Sequence, residues 1–114
     1  MASLYEFRDY HYAGDMDDYR QWWSEAMPIL RGRGFDVIGL WYDGGVPARI
    51  SGSDPMELEH GSANVTWVIR WDGIDQRERE WDALWEDAEW TACADHHPGF
   101  DGYKHMSVRF MDSD

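Results

Sequence analysis

Tyr5-Glu6-Phe7-Arg8-Asp9-Tyr10, a turn at Gly14-Asp15 and the stretch from Asp17 to Arg33 set the architecture of this chain. The first piece alternates its side chains as a strand does. The second carries Tyr19, Trp22, Trp23, Ala26, Ile29 and Leu30 at intervals of three and four, which lines them along one face of a helix. Phe35 to Tyr42 then returns to strand composition. The same order recurs further on: a strand from Asn64 to Asp72, a turn at Gly73, a helical stretch from Asp75 to His97, and a strand from Lys104 to Phe110. Strand, helix, strand, twice over, predicts an α+β subunit of ferredoxin-like βαββαβ type. Its four-stranded antiparallel sheet carries two helices on one face. The other face is left bare, and a second subunit is expected to cover it.

Local signals refine this outline. Asp15 is placed to cap the first helix, and Pro28 should kink that helix rather than end it. Asp75 and Glu78 suggest a capping box for the second helix, whose stripe is Trp81, Leu84, Trp85 and Ala88, with a break near Glu89-Trp90. Residues 44–63 hold four Gly and two Pro without periodicity. A loop of that length between antiparallel strands predicts a lid or rim, with Met56, Leu58 and His60 as the strip that would cover a ligand.

With 114 residues, the chain is read as one domain over 1–114. Its formal charge of −13 argues against nucleic acid or an anionic membrane as partner. No stretch approaches ~20 apolar residues and no charged-then-apolar leader precedes Tyr5, so a soluble, cytoplasmic protein is expected. The single Cys93 excludes an internal disulfide and a Cys-based metal cage. Adjacent His96-His97 point about 100° apart on a helix and read as capping or surface residues rather than ligands to one metal. No phosphate cradle, nucleotide fingerprint or serine-nucleophile elbow is present. No cofactor or metal is expected.

Met106, Val108 and Phe110 form one apolar face of the last strand, and they are expected against the helices together with Tyr5 and Phe7 of the first. The bare face would then carry Glu6, Arg8, Tyr10, His105, Ser107 and Arg109, with Glu6 opposite Arg109, Arg8 near Ser107 and Tyr10 near His105. Joined by Trp41, Trp67 and Trp71, these residues would hold a flat, partly anionic or phenolic molecule. His105 or Tyr10 would act as acid or base, and Arg8 and Arg109 would stabilise oxyanion charge. Glu6, Trp41, Trp67, Trp71, Ser107 and the loop residue His60 would contact the ligand. The alternative is a structural ladder of Glu6, Arg8 and Arg109 with the Trp side chains as core.

The chain also resembles the NIPSNAP family. The matching text is Tyr5-Glu6-Phe7-Arg8-Asp9-Tyr10, Glu25-Ala26-Met27-Pro28-Ile29-Leu30 through Gly34-Phe35, Ile38-Gly39-Leu40-Trp41, Ile69-Arg70-Trp71-Asp72, and Arg77-Glu78 through Asp87-Ala88-Glu89-Trp90. The resemblance implies ferredoxin-like subunits that pair sheet to sheet into a barrel with a central or per-subunit pocket. The family and its barrel relatives include small-ligand binders, cofactor-independent monooxygenases, cyclases, haem-handling enzymes and proteins without assigned function. The sequence departs from the family in the long 44–63 insertion and in having Asp87-Ala88 where Asp-Pro is common. The expected function is a cofactor-independent enzyme of aromatic or polyketide-like small-molecule metabolism, performing cyclisation, isomerisation or oxygenation. The alternative is a non-catalytic binder or carrier of such a metabolite.

Overall fold

A computed structural model describes residues 3–55 and 62–113. Met56, Leu58 and His60, the strip expected to cover a ligand, lie outside the described residues. The chain runs β1 (Leu4–Tyr12), α1 (Met16–Gly32), β2 (Asp36–Tyr42), β3 (Val65–Trp71), α2 (Ile74–Leu84), α3 (Ala88–Asp95), a 3-10 turn (Phe100–Gly102) and β4 (Tyr103–Asp112). One antiparallel sheet in the order β2-β3-β1-β4 carries the helices on one side. This is the βαββαβ arrangement that the tandem half-motifs predict. Among the described residues no helix is long and apolar enough to cross a membrane.

The helices begin where short polar side chains satisfy free amides. Asp15 Oδ1 accepts the Asp18 N–H at 2.9 Å, and α1 runs through Pro28 without ending. The second helical stretch divides earlier than Glu89-Trp90, because Asp87 starts a new helix. Its Oδ1 accepts the Trp90 N–H at 2.9 Å, and its Oδ2 takes Arg33 Nη1 at 2.5 Å, pinning α3 to the end of α1. The capping box at Asp75 does not form. α2 starts after Gly73 with no side-chain cap, and the Asp72 N–H goes to Gln76 Oε1 at 2.6 Å instead.

The faces of the sheet correct the sequence reading. Glu6 pairs with Phe110, Arg8 with Val108 and Tyr10 with Met106, while Phe7 pairs with Arg109, Asp9 with Ser107 and His11 with His105. A slip of one residue exchanges the two faces of a strand, so Glu6, Arg8 and Tyr10 lie on the helix side and Tyr5 and Phe7 on the open side. The physical reason is Glu6. Its carboxylate occupies a core position at 0% exposure because two guanidiniums and two indole N–H groups surround it. Charge alone would have sent it to the open face.

Met106, Val108 and Phe110 do share the helix side, yet they are exposed, because β4 is an edge strand that the helices cover incompletely. Trp67 and Trp71 are buried on the helix side as well, opposite Arg8 and Leu4. A bulge between Val37 and Gly39 puts Gly39 and Trp41 on the open face. The Trp41 ring lies across Gly39 there, so a Cβ at that position would come within 2.5 Å of it.

The open face carries its own polar pairs. Asp9 accepts Thr66 Oγ1 at 2.7 Å and Arg109 Nη2 at 3.5 Å, and the Arg109 guanidinium lies 5.3 Å from the centre of the Phe7 ring.

A candidate aromatic pocket between helices and sheet

A cavity of about 230 Å³ opens between the helices and the sheet. Arg8, Tyr10 and Trp67 form its floor on β1 and β3, and Trp22 and Trp23 of α1 form one wall. Trp81 and Trp85 at the end of α2, with Trp90 of α3, form another; Phe100, Tyr103 and Met106 complete it from β4 and the turn before it. The rings meet edge to face, Trp22 with Trp23 at 5.1 Å and Trp23 with Trp67 at 5.0 Å between centroids. Trp85, Phe100 and Met106 stand at the mouth, with Trp85 53% and Phe100 56% exposed.

Glu6 sits beneath the floor and organises it. Arg77 of α2 donates to it through Nε at 2.9 Å and Nη2 at 3.2 Å, Arg8 through Nη1 at 2.5 Å, and the indoles of Trp71 and Trp81 at 3.1 and 3.4 Å. Burial alone would raise the Glu6 carboxyl, but the hydrogen bonds and charges of Arg77 and Arg8 outweigh it and hold the group below its ordinary 4.5. Arg8 is thereby fixed along the floor, its guanidinium 5.0 Å from the Trp81 ring centre. Its Nε donates to the Tyr10 hydroxyl at 2.5 Å, and Trp67 Nε1 donates to the same oxygen at 3.0 Å.

A second polar chain reaches the pocket wall. The Gly99 N–H donates to His97 Nδ1 at 3.0 Å, so the neutral ring carries its proton on Nε2 and donates it to the Tyr103 hydroxyl at 2.9 Å. Tyr103 in turn shares a 2.9 Å hydrogen bond with Tyr19. Burial lowers the His97 pKa below 6.5 and raises those of Tyr19 and Tyr103. Gly99 holds this turn at φ 151°, a conformation that other residues rarely adopt.

The structure thus brings together only part of the site read from sequence. Arg8, Tyr10 and Trp67 line the pocket; Glu6 and Trp71 stand behind it. His105, Ser107, Arg109 and Trp41 lie on the opposite face of the sheet, cut off from Tyr10 by the sheet itself. His60 is outside the described residues. The described ends of the 44–63 loop do not cover the pocket either. Asp43, Gly45–Ala48, Ser62 and Ala63 line a separate cleft of about 570 Å³ with Asp9 and Thr66 on the open side.

Arg77, His97 and Tyr103 were missed. Arg77 lies four residues before Trp81 on one helix face, a spacing that could have tied it to the pocket. His97 does cap the backbone, through Nδ1 on the Gly99 N–H, but its ring is half-buried. It stacks on Phe100 at 4.1 Å and meets Trp22 edge to face at 4.6 Å. Among the described residues, no three His, Cys, Asp or Glu side chains come together as a metal site.

No family model matches the chain, and no curated protein matches it. Solved structures do. A NIPSNAP family protein of unknown function from Agrobacterium tumefaciens is 16% identical, with a TM-score of 0.71 over 97% of this chain and 87% of its own. The fold is that of the NIPSNAP proteins. A second NIPSNAP family protein from the same bacterium superposes with a TM-score of 0.70 at 18% identity, covering 96% of this chain and 90% of its own. An uncharacterised NIPSNAP domain protein from Burkholderia xenovorans gives 0.67 at 17% identity, covering 95% and 91%. The NIPSNAP fold accordingly extends over nearly the whole chain. At these identities the likeness concerns the fold alone, and the pocket has to be read from this chain's own residues.

Proposed function

We propose that this chain binds a small planar aromatic molecule in the pocket between its helices and its sheet. One observation carries the reading: six of the eight Trp line a single cavity, with a guanidinium and two phenols among them. A flat ring of benzene to naphthalene size matches a cavity of about 230 Å³ and would gain dispersion contacts with its aromatic lining. Aromatic edges and faces around a few placed polar groups are what a small-molecule site requires.

Thermal shift and Trp fluorescence with benzene- to naphthalene-sized compounds, neutral and charged, test this. At least one should quench saturably and raise the melting temperature. Trp85→Ala at the mouth should weaken that binding roughly 3- to 10-fold, the worth of one aromatic contact, with little change in melting temperature. The reading fails if no compound of either kind binds saturably.

Turnover of the bound molecule by proton transfer is a second reading, supported by Tyr103. Its hydroxyl is backed by the His97 Nε2 proton at 2.9 Å and is kept protonated by burial, so in this reading Tyr103 would be the acid of the wall and His97 its positioning partner. In that case activity would persist below pH 6.5 and fall only through the lowered pKa of His97.

The proposal includes a homodimer closed over the open sheet face, where Trp41 of β2 is 51% exposed and Met111 of β4, at the opposite edge, is exposed as well. Each chain carries −13, so added salt should strengthen the pair. Light scattering at micromolar protein and moderate salt should return twice the chain mass; a monomer mass excludes the dimer.

A further inference from the structure

We infer that the ligand of this pocket is an aromatic carboxylate, seated with its oxygens on Arg8 and Tyr10. The inference rests on the pocket reading above and adds the ligand's charge to it. Arg8 uses Nε on the Tyr10 hydroxyl and Nη1 on Glu6, each at 2.5 Å, and its Nη2 donates to no described residue. The Tyr10 oxygen already accepts from Arg8 Nε and Trp67 Nε1. With both lone pairs engaged, its own proton must turn elsewhere, and it meets no acceptor among the described residues. Since Nε and the Tyr10 oxygen are bonded, Nη2 and the Tyr10 proton belong to one edge of the floor. Trp90 Nε1 in the facing wall and Trp23 Nε1 in the other are buried donors without a partner among the described residues.

Charge points the same way. The nearest buried anion is Glu6, and Arg8 shares it with Arg77. Glu78 answers Arg77 from solvent, at 56% side-chain exposure. Arg8 therefore faces an apolar cavity with half a counter-ion, which favours an anion and penalises a cation. Two adjacent donors, one of them charged, match the two oxygens of a carboxylate.

Titration calorimetry on the full chain, comparing 2-naphthoate with 2-naphthamide, tests the inference. The ring is the same and only the charge differs. The acid should bind about 10- to 100-fold more tightly, the worth of a charge-assisted hydrogen bond. Tyr10→Phe should shrink that preference, and Arg8→Met should erase it. Arg8 also holds Glu6, so the unmodified protein and Tyr10→Phe serve as tests that leave the pair intact. Amide binding as tight as the acid overturns the inference while the pocket reading stands. A preference unchanged in both variants also overturns it, by moving the carboxylate off these residues. If neither compound binds, the inference fails, and the wider set of compounds above decides the pocket reading separately.

Discussion

Glu6→Gln should destabilise the protein by about 3–5 kcal/mol in urea or guanidinium unfolding, among the largest effects of any single substitution in this chain. The amide keeps the size of the carboxylate and removes its charge. It leaves the Arg8 and Arg77 guanidiniums facing one another across a site with 0% exposure. Glu78→Gln, at the exposed end of the same Arg77, should cost no more than about 0.5 kcal/mol. The same carboxylate sets an acid limit. Its folded pKa lies below 4.5, so the unfolded chain binds the proton first. The stability from Glu6 is therefore complete above that value and drains away as pH falls through the lowered folded pKa. A Glu6→Gln loss under 1 kcal/mol, or one that does not shrink on acidification, would remove Glu6 from the centre of the fold.

Trp67→Ala should be nearly as costly, by about 3–5 kcal/mol, and should also abolish aromatic-ligand binding. Trp67 is buried on a central strand, packs on Trp23 at 5.0 Å and donates to Tyr10 at 3.0 Å. Its removal would merge the pocket with a new cavity and free the Tyr10 hydroxyl to rotate. Trp67→Phe separates the two effects. It should recover much of the stability by refilling the space, while Tyr10 still lacks its indole donor. Thermal melts alongside fluorescence titration would resolve the difference, and retained binding in Trp67→Ala would contradict the floor described here.

The half-motifs made the fold legible, because helical and strand periods are written in where the apolar residues fall. The faces of the sheet were less legible, for a reason visible in one residue. Alternation places Glu6 with the polar row, and only the arrival of Arg77 and Trp81 from α2, more than 70 positions away, makes its burial favourable. With Glu6 on the open side, Arg8 and Tyr10 go with it, and β4 falls one residue out of the register the structure has. The chemistry of Arg8, Tyr10 and Trp67 was nevertheless readable, since a guanidinium and aromatic rings carry their binding potential in either setting. His97 was not. Nothing in His96-His97-Pro98-Gly99 announces that one ring turns inward to Tyr103 while its neighbour stays exposed.

The strand order β2-β3-β1-β4 has a consequence for the autonomy of the two halves. β1 and β2, from the first half, never touch as neighbours, because β3 lies between them; β3 and β4, from the second, are separated by β1. Neither half can build a sheet from its own strands. A backbone cut within 44–63 would therefore not release two small domains. It would leave two interlaced pieces, each supplying the other's hydrogen-bonding edge, the first contributing Glu6 and the second Arg77. Such pieces hold together as a nicked whole and, once parted, have no native structure to keep.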